Sequence, residues 1–147
     1  MKKTTLNLML TLTCIAALTA LALAAVPSTL MTAKIPFAFH VGNNTFPAGT
    51  YVVSRASSPG VVILRNEQAA KNVATITQAN SSRTANEKAQ LEFRRYGDQY
   101  FLARVMPAGT GTHLELQKSR SESVAAEGAK NLAGRPVQPE IISIAGQ

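Results

Sequence analysis

The apolar residues at the heart of this chain recur with a period of two, and its aromatic residues are confined to one stretch. Ile35, Phe37, Phe39 and Val41 alternate strictly with Pro36, Ala38, His40 and Gly42, the pattern of a strand with one apolar face and not of a helix. The five Phe and three Tyr all lie between Phe37 and Phe101: Phe37, Phe39, Phe46, Tyr51, Phe93, Tyr96, Tyr100 and Phe101. Aromatic side chains bury the largest areas. The core is therefore expected within residues 35–106, with 113–147 peripheral to it.

Turn chemistry divides this region into strands. Pro36 has no N–H to give to a ladder, which places it at a sheet edge or a strand start. Gly42-Asn43-Asn44 marks a turn, and Phe46-Pro47-Ala48-Gly49 fits a type I turn. Thr50 to Ser54 reads as a strand, ended by Ser57-Ser58-Pro59-Gly60. Val61 to Leu64 is a short apolar run, expected to be a strand covered on both faces. Arg65 to Lys71 connects it to a returning strand at Val73–Thr77, and 78–88 is a polar surface loop.

The sharpest local expectation is a hairpin from Leu91 to Val105. Gly97-Asp98 supplies a two-residue loop with glycine first. That register pairs Tyr96 with Gln99, Arg95 with Tyr100, Arg94 with Phe101 and Phe93 with Leu102. It puts Leu91, Phe93, Arg95, Tyr100, Leu102 and Arg104 on one face, and Glu92, Arg94, Tyr96, Phe101 and Val105 on the other. Neither face is cleanly polar, so both are expected to be partly covered. Beyond Pro107 the pattern changes: Leu114 to Leu132 reads as helical up to Gly134. Val124, Ala125, Ala129 and Leu132 are its apolar positions, and Gly128 costs it about 1 kcal/mol relative to alanine. Residues 140–144 add a last strand. The expected fold is all-β: a small antiparallel barrel or sandwich of roughly 6–8 strands with a peripheral C-terminal helix.

The N-terminus sets the compartment. Lys2 and Lys3 precede an apolar stretch from Leu6 to Leu23, and Ala22-Leu23-Ala24 offers the small-residue site that signal peptidase reads. Residues 1–24 are thus expected to be a signal peptide and 25–147 a single exported domain, periplasmic or secreted. An uncleaved anchor is the competing reading, since about 20 apolar residues span a bilayer; after cleavage no span remains. Cys14 is the only cysteine and leaves with the signal, so the exported domain has neither a disulfide nor a thiol nucleophile. Without Lys2 and Lys3 the chain keeps 13 basic residues against 8 acidic ones, a net charge of +5 instead of +7. Such a field favours anionic surfaces, and export argues against nucleic acid as the partner.

No catalytic, cofactor-binding or metal site is expected. His40 and His113 stand apart, with no metal-ligand spacing around them. Asp98, the only aspartate, belongs to its turn. Glu67, Glu87, Glu92 and Glu115 do not form the pair that glycoside hydrolysis needs, and no G-x-S-x-G elbow or phosphate-binding glycine loop occurs. One constellation has shape: arginines among aromatics on the hairpin. Arg94, Arg95, Tyr96, Tyr100 and Arg104 form the candidate interaction surface. The alternative is a cross-strand Arg94–Phe101 cation–π contact on a covered sheet. Arg94→Ala with Arg95→Ala is expected to leave the fold intact.

Three stretches carry a resemblance: 35–42 leading into Phe46-Pro47-Ala48-Gly49-Thr50-Tyr51; Arg95-Tyr96-Gly97-Asp98-Gln99-Tyr100-Phe101-Leu102; and Leu116-Gln117-Lys118-Ser119-Arg120-Ser121-Glu122. Together they resemble small exported β-rich proteins of unknown function common in soil bacteria. The resemblance implies export and a β fold, and it brings no activity or residue roles. The function expected is a non-enzymatic structural or interaction role at the cell envelope, as a monomer, toward an envelope protein, glycan or anionic lipid. Either the first strand, by β-augmentation, or the basic hairpin would make the contact. The alternative is a small carrier holding an apolar or anionic ligand inside a β-barrel.

Overall fold

A computed structural model describes residues 28–69, 71–135 and 137–147. The stretch expected to be a signal peptide, the expected cleavage site and Cys14 lie outside the described residues. Within them no helix is long and apolar enough to cross a membrane. The chain order is β1 (Ser28–Ile35), β2 (Phe39–Val41), β3 (Asn44–Phe46), β4 (Gly49–Arg55), β5 (Val61–Asn66), β6 (Asn72–Ser81), β7 (Gln90–Tyr96), β8 (Gln99–Met106), β9 (Thr112–Leu116), α1 (Arg120–Ala133) and β10 (Glu140–Ala145).

Eight of the ten strands hydrogen-bond in the path β1-β4-β5-β6-β9-β8-β2-β3, and the other two branch from it, β7 on β8 and β10 on β7. The result is all-β and sandwich-like, and not a closed barrel. Strand β6 joins the two layers: residues 72–76 pair with β5 and 77–81 with β9. At the changeover the Gly60 carbonyl accepts both the N–H of Thr77 at 2.7 Å and its hydroxyl at 3.0 Å. The far edges meet at one place, where Ala33 bridges Gly146 and Thr32 exchanges backbone bonds with Gln147 at 2.9 and 2.8 Å.

Between the layers the aromatic residues pack on one another. Phe39 sits 5.7 Å from Phe46, 5.0 Å from Tyr51 and 5.4 Å from Phe93, centroid to centroid. Phe37 stacks on Tyr100 at 3.9 Å and meets Phe93 edge-on at 5.3 Å. Tyr51 stays in this apolar setting because its hydroxyl donates to the Pro47 carbonyl at 2.6 Å, and burial pushes its pKa up. The core runs wider than 35–106: Met31, Leu114 and Leu116 are also buried in it. Aromatics mark the centre of a core, whereas its ends here are aliphatic.

Several expectations are corrected. The alternating stretch 35–41 is two strands, because Pro36 cannot donate to the ladder and ends β1. The chain then crosses to the other layer, where His40 pairs in parallel with Phe101, so the sheet is mixed and not purely antiparallel. Strand β5 buries Val62, Leu64 and Asn66 while Val61 and Ile63 remain half-buried; it is well covered on one face only. Residues 78–81 belong to β6, and the loop begins at 82. Residues 114–116, expected in the helix, are strand β9. Its partner is the polar end of β6, a pairing invisible to local propensity.

The hairpin register is the one expected, pair for pair, from Tyr96–Gln99 to Phe93–Leu102. Beyond it a bulge at Ala103 pairs Glu92 with Arg104 and Leu91 with Val105. The extra residue flips the parity of β8, so Val105 joins the core and Arg104 moves to the opposite face.

Gly111 is a sensitive spot in this architecture. Its carbonyl accepts from the Ser82 N–H at 2.7 Å, and a Cβ there would stand 2.5 Å from the Ser82 carbonyl oxygen. Gly111→Ala is expected to cost roughly 1–3 kcal/mol through forced displacement of the 82–86 loop; comparative thermal melts of the two chains check it.

Candidate interaction face at the β7–β8 hairpin

The outer face of β7–β8–β9 carries charge where the inner face carries core. Helix α1 is placed over it by a local signal in Ser119-Arg120-Ser121-Glu122. Ser119 is the N-cap, and its hydroxyl accepts from the Glu122 N–H at 3.1 Å. In a capping box the glutamate would reach back to the N-cap. Here Glu122 turns down onto the sheet, only 2 % exposed. Its carboxylate accepts from Arg94 Nε at 2.6 Å and Nη2 at 3.2 Å, and from the Tyr96 hydroxyl at 3.3 Å. Burial, followed by the Glu122 charge, raises the pKa of Tyr96.

Arg94 is itself only 9 % exposed. It also donates to the Leu116 carbonyl at 3.4 Å and lies 4.0 Å from Glu115. Arg104 bonds Glu92 at 3.2 Å and approaches Glu115 at 3.8 Å. The turn of the β2–β3 hairpin completes the anchorage. Ser121 donates to the Gly42 carbonyl at 3.1 Å, and its N–H to Asn43 Oδ1 at 3.3 Å. Gly42 is in the left-handed region at φ 61°, which presents that carbonyl to the helix.

The five residues read from the sequence as one surface are divided by the pleat. Arg94, Tyr96 and Arg104 lie on the α1 side. Arg95 and Tyr100 lie on the other, where Arg95 covers the Tyr100 ring at 5.5 Å and pairs with Glu140 at 3.1 Å. The cation–π pair is thus Arg95–Tyr100; the ring stacked on Phe101 is His40, at 4.7 Å. Partial burial lowers the pKa of His40. His113 lies on β9. Arg94 is buried and paired with Glu122, so it does not face solvent.

Both sides of β2 are occupied. Strand β2 runs between β3 and β8, so the first aromatic strand offers no edge for augmentation. On β3, Lys71 donates its ammonium to the Thr45 carbonyl and sits 4.8 Å above the Phe46 ring, a lysine guard on an edge strand.

What the face leaves open is a groove. It measures about 690 Å³ and runs between the hairpin tip, with Tyr96 and Gln99, and the α1 side chains Val124, Ala125, Ala129 and Leu132. Val124 is 66 % exposed and Leu132 93 %. Its rim holds one cation, Arg120, and one anion, Asp98, with Asn43, Gln99 and Ser121 between them. Sequence reasoning found the apolar positions of α1 but not the groove, because the second wall comes from residues more than twenty positions away. Among the described residues no cluster of three or more His, Cys, Asp or Glu is placed to hold a metal. In comparisons with known proteins, no family model, no curated protein and no solved structure matches this chain.

Proposed function

We propose that this chain is an exported, non-enzymatic interaction module of the cell envelope, and that the groove between α1 and the β7–β8 hairpin receives an apolar segment of a protein partner. The observation that carries this reading is the exposure of Val124 and Leu132 along an open channel. Apolar side chains lining a concave surface favour an occupant that removes them from water. The rim selects the class of occupant. One positive and one negative group, with amides and a hydroxyl, match a polypeptide backbone better than a single-signed lipid or polysaccharide. The carrier reading draws less support. The space between the layers is taken by Phe39, Phe46, Tyr51 and Phe93, and the fold is not a closed barrel.

The test is capture from envelope extract with the purified domain. Val124→Glu with Leu132→Glu is expected to reduce the captured partner at least tenfold, with the melting temperature unchanged because both side chains are already in water. Arg65→Glu, exposed in the other layer, should capture as well as the parent chain. Full capture by the groove variant, or capture of lipid in place of protein, counts against the reading.

A further inference from the structure

The hold of α1 on the sandwich is concentrated in its first turn. Ser119 caps it, Ser121 bonds Gly42 and Asn43, and Glu122 bonds Arg94 and Tyr96. Among the described residues, no hydrogen bond or ion pair joins residues 123–133 to the sheet. Glu122 is the only residue of the helix that is fully buried. Fourteen residues with a glycine inside are too few to stay helical alone in water. The contact that docks the helix is therefore also the contact that keeps it helical.

The sheet is equipped for the helix to leave. Arg94 has a second carboxylate, Glu115, already 4.0 Å away, and the Leu116 carbonyl at 3.4 Å. Glu115 is itself held by the amide of Asn80 at 3.1 Å. A buried arginine stripped of its partner is costly, yet here a small side-chain movement replaces one carboxylate by another. From the geometry we infer that α1 is a latch, opening independently of the sandwich, with Arg94 passing from Glu122 to Glu115 as it opens. Closed, the latch forms one wall of the groove. Open, it removes that wall and bares Arg94 and Tyr96, the two residues of the hairpin constellation that Glu122 covers.

Native-state hydrogen exchange on the purified domain, followed by peptide mass spectrometry over a series of low denaturant concentrations, tests this. In the parent chain, α1 peptides should exchange at least tenfold faster than β7 and β8 peptides and with weaker denaturant dependence, the mark of a sub-global opening. Glu122→Gln should accelerate α1 severalfold and leave β7–β8 unchanged. Glu115→Gln, which keeps an acceptor for Asn80 but weakens the standby partner, should slow it. Simple fraying of a surface helix would not respond to Glu115. Exchange of α1 in the same step as β7–β8, or an α1 rate indifferent to Glu115→Gln, overturns the inference.

Discussion

Phe39→Ala is expected to lower stability by about 3–5 kcal/mol and the melting temperature by roughly 10–20 °C. Phe39 is fully buried and its ring contacts three other aromatic rings, those of Phe46, Tyr51 and Phe93. These come from β3, β4 and β7, so the truncation opens a void shared by both layers that no single strand can shift to fill. Total stability of a domain this size is about 5–15 kcal/mol, and a chain with a single cysteine has no internal disulfide to limit its unfolded state. Phe39→Leu should retain most of the stability. Urea unfolding of the two variants beside the parent chain measures the difference; a Phe39→Ala loss under about 1 kcal/mol would mean that the layers collapse onto the void.

Arg94→Ala is expected to be the most damaging change on the outer face, costing about 3–5 kcal/mol while α1 stays docked. Glu122, only 2 % exposed, would keep only the Tyr96 hydroxyl as a partner from the sheet. Release of α1, which returns Glu122 to solvent, sets the ceiling on this loss. Glu122→Ala should cost less, because Arg94 retains Glu115 and the Leu116 carbonyl. Arg94→Met combined with Glu122→Leu should recover most of the loss, since apolar packing replaces a buried ion pair at little cost. Denaturation midpoints of the three variants establish the order. Equal losses for Arg94→Ala and Glu122→Ala, with α1 still protected from hydrogen exchange in both, would show that Glu115 gives Arg94 no support.

How much was legible in the sequence follows from the range of the interactions. The β7–β8 hairpin was legible pair for pair, because Gly97-Asp98 fixes its register locally. The bulge at Ala103 was not: alternation of apolar residues carries no mark of an inserted position until the partner strand is known. The helix end at Gly134, with φ 65°, was legible from glycine. Its start was placed too early, because Leu114 and Leu116 fit a helix as well as a strand when β6 is out of view. The apolar positions Val124 and Leu132 were also legible. That Arg94 would face a glutamate 28 positions away was not.

The sequence by itself determined the all-β class, the aromatic core and the hairpin, because side-chain period, turn residues and aromatic spacing act over a few residues. Only the tertiary structure decided which strands are neighbours, that Pro36 divides the first aromatic strand between two layers, and that the basic hairpin face is half concealed beneath α1. Those outcomes rest on pairings between distant segments, Thr77 with Leu116, His40 with Phe101 and Arg94 with Glu122. Each depends on where the chain has already been placed, and no local pattern encodes that.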